Sequence, residues 1–349
     1  MTLSVALVEM PFPYRKNPWY AGLARAMNDE MIARGLIRPD QREYHDGFNL
    51  LNAFFFPTAP PATLRTAARI IDFFFLCDDV YDTTGDNGRD LPMIGDMLRA
   101  NVEVLRQRRL PPRPDALNRL ALDTVEELAG TMGEAQLARL VESIADYLLG
   151  GSLVLMELWA RGEVPDPETY ARIRRSDVAM YPTIDVSEFV GGLALPAEVF
   201  GHPELRALRE ACCLQVALAN DLLSYQKEVV RDRCPYNMVA VTAIHEELPL
   251  EEAVLAVIER VNGSLRRFLE LEARLPSWGE AADRDVQVYV RGMKDLMAGN
   301  WYWSFESTRY SSADSPFAEL RTTSALLGDK SRGHLVSEIP RARRQAVSR

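Results

Sequence analysis

The chain has 349 residues, 47% of them hydrophobic and 26% charged, and carries a formal net charge of −10. That apolar fraction is ample for a buried core, while the acidity argues against the basic face that a nucleic-acid partner needs. Four cysteines, Cys77, Cys212, Cys213 and Cys234, contain no CxxC pair and form no zinc or disulfide framework.

The N-terminal segment lacks a basic-then-apolar leader, and Pro11 and Pro13 interrupt its short apolar start. No run of ~18 apolar residues suggests a membrane span. A cytoplasmic location is expected. Apolar residues then recur at mixed three and four spacing over 62–82, 116–130, 135–160, 204–231, 249–275 and 284–308, which predicts helices there. Breakers separate them: Pro57, Pro60 and Pro61; Gly85 to Gly88; Pro111, Pro112 and Pro114; Pro165 and Pro167; Pro196; Pro235; Pro276. Strand-like alternation is scarce, and there is no internal repeat or glycine-rich phosphate loop. The fold class expected is all-α, a single-domain helical bundle over residues 1–310. Residues 311–349 are rich in Ser, Arg and Ala and end in Arg341, Arg343, Arg344 and Arg349, the composition of a mobile tail.

The run from Phe73 to Asp82 leads from apolar residues straight into Asp78, Asp79 and Asp82. Asp78 and Asp82 are at i and i+4 and share one helical face, where their repulsion disfavours the helix by a few tenths of a kcal/mol unless a cation intervenes. Two carboxylates one turn apart suit a bridge from Mg2+ to substrate phosphates, with Asp79 rotated into a supporting position. An acidic helix end running into the turn at Gly85 accounts for this segment equally well on its own.

Asn220, Ser224 and Glu228 lie at i, i+4 and i+8 of a strongly helical stretch, stacking an amide, a hydroxyl and a carboxylate along one ridge. They supply a mixed oxygen set for a second Mg2+ position. Lys227 returns to nearly the same face as Asn220 and can hold a phosphate oxygen as a point charge.

Together, Asp78-Asp79-Val80-Tyr81-Asp82 and the Asn220–Glu228 segment resemble the aspartate-rich and NSE metal motifs of bacterial class I terpene synthases. The resemblance covers roughly residues 15–310. It implies one α-helical domain around a central cavity, and three Mg2+ ions, with Mn2+ a possible substitute, held against an isoprenyl diphosphate. By the resemblance Asp78, with Asp82, takes two ions; Asn220, Ser224 and Glu228 take the third. The family's diphosphate-sensing arginine lies 46 residues before the NSE asparagine, which is Arg174 here. Asp177 then matches the linker residue and Val178 the effector, whose carbonyl points at the ionising allylic end. Pro182 cannot donate the helical hydrogen bond to the Val178 carbonyl four residues back, so a helix break is expected there. Near the C-terminus, Arg309 and Tyr310 match the family's diphosphate-contacting pair.

Phe74 and Phe75, one turn before the first motif, and Trp303 are expected to line the cavity, with Tyr181 and Phe55 as further candidates. The function implied is metal-dependent ionisation of an isoprenyl diphosphate and cyclisation of the carbocation, a carbon–oxygen lyase reaction. Farnesyl diphosphate is favoured and geranylgeranyl diphosphate is close behind. A chain-elongating or condensing prenyltransferase needs a second aspartate-rich motif where this chain has Asn220 to Glu228. A non-enzymatic scaffold leaves the oxygen ridge unexplained. The protein is expected to be a monomer or homodimer.

Overall fold

A computed structural model describes residues 3–83 and 91–321, with the backbone alone for residues 80–83. The glycine turn at Gly85, the side chain of Asp82 and the arginines from Arg341 onward lie outside the described residues. The helices are α1 Tyr20–Ala33, α2 Arg42–Phe55, α3 Pro61–Thr83, α4 Leu91–Gln107, α5 Ala116–Ala129, α6 Glu134–Ala145, α7 Leu153–Arg161, α8 Pro167–Asp177, α9 Met180–Val190, α10 Ala197–Phe200, α11 Pro203–Tyr225, α12 Met238–His245, α13 Leu250–Glu272 and α14 Glu280–Glu306. Among the described residues the β pairing is one isolated bridge, Leu3 to Phe317. The all-α class holds.

Local chemistry sets the helix starts. Asp166 caps α8 by accepting from the Glu168 and Thr169 amides at 3.0 and 2.9 Å, with Pro167 at the first position, where its missing N–H costs nothing. Asn237 caps α12 through the Val239 amide at 3.1 Å. On α13, Val254, Val257, Ile258, Val261, Leu265 and Phe268 form a buried stripe against α11, which is buried on almost every side and forms the centre of the bundle. The α2–α14 crossing is close at Gly299, where a Cβ would stand 3.0 Å from the Phe54 carbonyl carbon.

Two predicted helices are not uniform. The 135–160 run widens into a π turn over Asp146–Ser152, and the 204–231 run does so over Gln226–Arg231. Such π turns concentrate at functional sites. By length and composition the 28-residue run Glu134–Arg161 is apolar enough to cross a membrane, which corrects the expectation that no such run exists. It belongs to the bundle, contributing Tyr147, Ser152 and Leu155 to the internal cavity. The predicted tail boundary also shifts. Phe317 and Ser315 are fully buried, and the Leu3 amide and carbonyl bond Pro316 and Ala318 at 2.8 and 3.0 Å, so residues 311–321 belong to the packed body.

Candidate active site

A cavity of about 440 Å³ opens among α3, α8, α9, α11 and α14, within the ~300–1,000 Å³ typical of small-molecule sites. Its walls include Phe55, Phe74, Phe75 and Trp303, and its mouth carries Asp78, Arg174, Asn220, Lys227, Glu228 and Arg309. One end is therefore charged and the other aromatic and aliphatic.

The α8–α9 junction forms one side of the mouth. Val178 caps α8, and Ala179 adopts a left-handed conformation with φ 56°, before α9 begins at Met180. For an alanine that conformation costs roughly 1–2 kcal/mol. Pro182, in the first turn of α9, leaves the Val178 carbonyl without the helical donor, and both Val178 and Ala179 line the cavity. The break expected from sequence is present, and Ala179 supplies its turn.

Arg174 lies one turn before the break and uses three nitrogens. Its Nη1 donates to Asp177 Oδ2 at 2.8 Å, its Nε to Asp221 Oδ1 at 2.9 Å and its Nη2 to Asn220 Oδ1 at 2.8 Å. Burial pulls the guanidinium pKa down, but Asp221, Tyr170 and Asp177 more than offset it, and the charge is secure. Asp177 is held in turn by the Ser152 hydroxyl at 3.0 Å. Ser152 ends the first π turn, and the neighbouring Gly151 allows the approach. A Cβ on Gly151 would stand 2.4 Å from the Asp177 amide nitrogen.

α11 and the π turn after it form the opposite side. Asp221 is fully buried and accepts three hydrogen bonds, from Arg174, from the Tyr170 hydroxyl at 3.0 Å and from the Met238 amide at 2.7 Å. Asn237 Nδ2 donates to Glu228 Oε2 at 3.0 Å and to the Asp221 carbonyl at 2.7 Å, with Ser224 Oγ at 3.5 Å. Lys227 pairs with Asp232 at 2.9 Å. Burial pushes the Glu228 carboxyl up, with Arg174 pulling against it.

These donors suit a hard divalent ion. Asn220, Ser224 and Glu228 offer amide, hydroxyl and carboxylate oxygens. The Asn220 oxygen accepts from Arg174 and keeps a second lone pair. Glu228 is a desolvated acid bonded to a neutral amide, an arrangement that a cation stabilises. Among the described residues no cluster of three or more His, Cys, Asp and Glu occurs.

At the α3 end, the Asp78 side chain is 43% exposed and its Oδ2 lies 3.7 Å from Arg309 Nη2. Tyr44 of α2 donates to Asp79 at 2.9 Å and accepts from Arg309. Tyr310 accepts from Asn220 Nδ2 at 3.0 Å, and its ring meets Trp303 edge-on at 5.4 Å. Trp303 is fixed by its indole N–H on the Gly47 carbonyl at 2.7 Å.

Of the residues expected from sequence, Asp78, Arg174, Asp177, Val178, Asn220, Lys227, Glu228, Arg309 and Tyr310 border this one cavity, as do Phe74, Phe75 and Trp303. Three others stand differently. Ser224, in the middle of the ridge, is fully buried and is not a wall of the cavity, and Asp79 turns to Tyr44. Tyr181 is not a wall of the cavity: its ring packs toward the Arg209 guanidinium, 5.8 Å away, because it follows the left-handed turn onto the other side of α9. Sequence reasoning missed Tyr44, Asp221 and Asn237. Asp221 had a signal, an acid next to the metal motif inside an apolar helix; Tyr44 and Asn237 had none.

Residues 69–267 match the terpene synthase family 2 C-terminal metal-binding domain. A sesquiterpene synthase of Cyclocybe aegerita is 30% identical over 279 residues, covering 79% of this chain and 78% of its own length. Pristinol synthase of Streptomyces pristinaespiralis is 30% identical, covering 88% and 86%. Among solved structures, linalool/nerolidol synthase of Streptomyces clavuligerus, bound to 2-fluorogeranyl diphosphate, superposes with a TM-score of 0.75 at 25% identity, covering 86% of this chain and 99% of its own.

Proposed function

Because the chain belongs to the metal-dependent class I terpene synthase family, we propose that it ionises farnesyl diphosphate with magnesium and closes the cation into a sesquiterpene hydrocarbon or alcohol. The observation that carries this reading is the polarity of one cavity: Arg174 holds Asn220 at 2.8 Å at the mouth, and Phe74, Phe75 and Trp303 form the walls beneath. Two relatives named as sesquiterpene synthases support the chain length chosen.

Arg174, Lys227 and Arg309 bind the diphosphate, with Tyr310 adding a hydrogen bond. Asp177 keeps Arg174 aimed at it. Asp78 on one side and Asn220, Ser224 and Glu228 on the other would hold three magnesium ions, which would supply Lewis-acid neutralisation of the departing oxygens. The carbon–oxygen bond breaks with its electron pair leaving on the diphosphate. The Val178 carbonyl directs its dipole at the positive allylic carbon, and the aromatic faces contribute about 0.5–2 kcal/mol each to the passing cation. The apolar walls keep water away until rings have closed.

Incubation with Mg2+ and farnesyl diphosphate tests the reading. Pyrophosphate release and an extractable fifteen-carbon terpene are expected, and chelation stops both. Background release with ten-, fifteen- and twenty-carbon diphosphates overturns it. Longer prenyl diphosphates formed only when isopentenyl diphosphate is added assign the chain to elongation instead.

A further inference from the structure

Tyr44 belongs to no motif in the sequence, yet its hydroxyl stands between two charges at the cavity mouth. It gives its proton to Asp79 Oδ1 at 2.9 Å and accepts one from Arg309 Nη1. The guanidinium lies over the Tyr44, Phe48 and Phe75 rings at 5.6, 5.6 and 5.5 Å, and the latter two rings are stacked 3.9 Å apart. Its Nη2 is 3.7 Å from Asp78, beyond hydrogen-bond reach. Its Nε–H is buried and has no hydrogen-bond partner among the described residues.

Aromatic faces, a neutral hydroxyl and a loose 3.7 Å ion pair with Asp78 therefore hold this cation, in a place where Arg309 and Asp79 would otherwise form a charge-assisted hydrogen-bonded pair. Such a pair is roughly twice as strong as a neutral hydrogen bond, and an incoming anion has to compete with it. We infer that Tyr44 is a positioning residue for Arg309: a neutral spacer that occupies Asp79 with its own proton and leaves the guanidinium's charge and Nε–H for the substrate diphosphate. The inference rests on reading the mouth as a diphosphate site. A phenol titrates near ~10 in water, so the spacer carries no charge at neutral pH.

Tyr44→Phe keeps the ring under the guanidinium and removes the hydroxyl. KM for farnesyl diphosphate and the inhibition constant of inorganic pyrophosphate, both with Mg2+, are expected to rise roughly three- to tenfold, the span of one hydrogen bond. kcat and the thermal midpoint are expected to stay near those of the unsubstituted enzyme. Adding Asp79→Asn to Tyr44→Phe should restore most of the pyrophosphate affinity, because the competing charge is gone; the Asp79→Asn single variant completes the cycle. Unchanged constants in an active Tyr44→Phe enzyme overturn the inference, as does a double variant no better than Tyr44→Phe. So does a joint fall of kcat and thermal midpoint with the inhibition constant unmoved, which marks a structural role. Absence of turnover by the unsubstituted enzyme instead overturns the terpene synthase reading, so the two failures are distinct.

Discussion

Arg174 and Asp221 form a buried ion pair through a 2.9 Å bond from Nε to Oδ1, one residue from the asparagine of the oxygen ridge. This pair ties the sensing arginine on α8 to the ridge on α11, so the position of one fixes the other. Removing one partner of a buried pair leaves an uncompensated charge at a cost of about 3–5 kcal/mol. Asp221→Ala is therefore expected to lose that much stability in urea unfolding. Asp221→Asn keeps shape and two of the hydrogen-bonding positions. It should fold, yet lose roughly 10–100-fold in kcat/KM for pyrophosphate release, the worth of one charged hydrogen bond. Full kcat/KM in the folded Asp221→Asn enzyme would show that the pair is structural only.

Gly151 sets the distance between the first π turn and the end of α8. An added Cβ at this position meets the Asp177 Cα at 2.6 Å and the Ser176 carbonyl carbon at 2.7 Å, and backbone cannot step aside as a side chain does. Gly151→Ala is predicted to destabilise the fold by about 1–3 kcal/mol. The displaced α8 carries Arg174 and Asp177 with it, so kcat should fall at least tenfold at saturating substrate. Gly263, with open space around its Cβ position, serves as the comparison; Gly263→Ala leaves kcat unchanged if the loss is local to α8.

The residues legible in the sequence are those whose chemistry and spacing lie on one helix. The ridge from Asn220 to Glu228 needs only a helical period, and the proline at 182 announces the break by the hydrogen bond it cannot make. α9 was harder to read, because its residues from Pro182 to Glu188 are all buried and it shows no amphipathic stripe. The π turn at Gln226 was invisible for a different reason: a single extra residue per turn leaves the apolar pattern nearly unchanged while turning Glu228 relative to Asn220. Tyr44 and Asn237 act through partners 35 and 9 or more residues away, on other elements, so no local pattern marks them. Tyr181 shows the converse error. It was a candidate only as an aromatic that could line the cavity, and the left-handed Ala179 sends its side chain elsewhere.

Acid should loosen the α1–α3 contact before it reaches the core. Burial pushes the Glu30 carboxyl up, but Arg69, Arg65 and Arg34 together outweigh it and hold its pKa below the ordinary value. A carboxyl lowered on folding contributes its full stability above the unfolded value of ~4.3 and loses it as pH falls through the folded one. The thermal midpoint of the unsubstituted protein should therefore exceed that of Glu30→Gln at neutral pH. The gap should close as the pH falls below ~4. A gap independent of pH refutes this assignment.

Asn237 has the most to separate, since one side chain serves both fold and site. Its Oδ1 caps α12, while its Nδ2 bridges the Asp221 carbonyl and Glu228 Oε2 at 2.7 and 3.0 Å. Loss of a cap costs about 0.5–2 kcal/mol, and loss of a group that orients a metal ligand typically costs ~10–100-fold in metal affinity. Asn237→Ala should show both effects. Asn237→Asp retains the capping oxygen but turns a second acid toward Glu228, whose carboxyl burial already pushes up. Its thermal midpoint is expected to fall, because a buried acid replaces the donor of both Nδ2 hydrogen bonds, with the Mg2+ concentration for half-maximal turnover displaced by tenfold or more. If Asn237→Ala loses stability while its Mg2+ requirement stays fixed, Asn237 is a helix cap and Glu228 is oriented by something else.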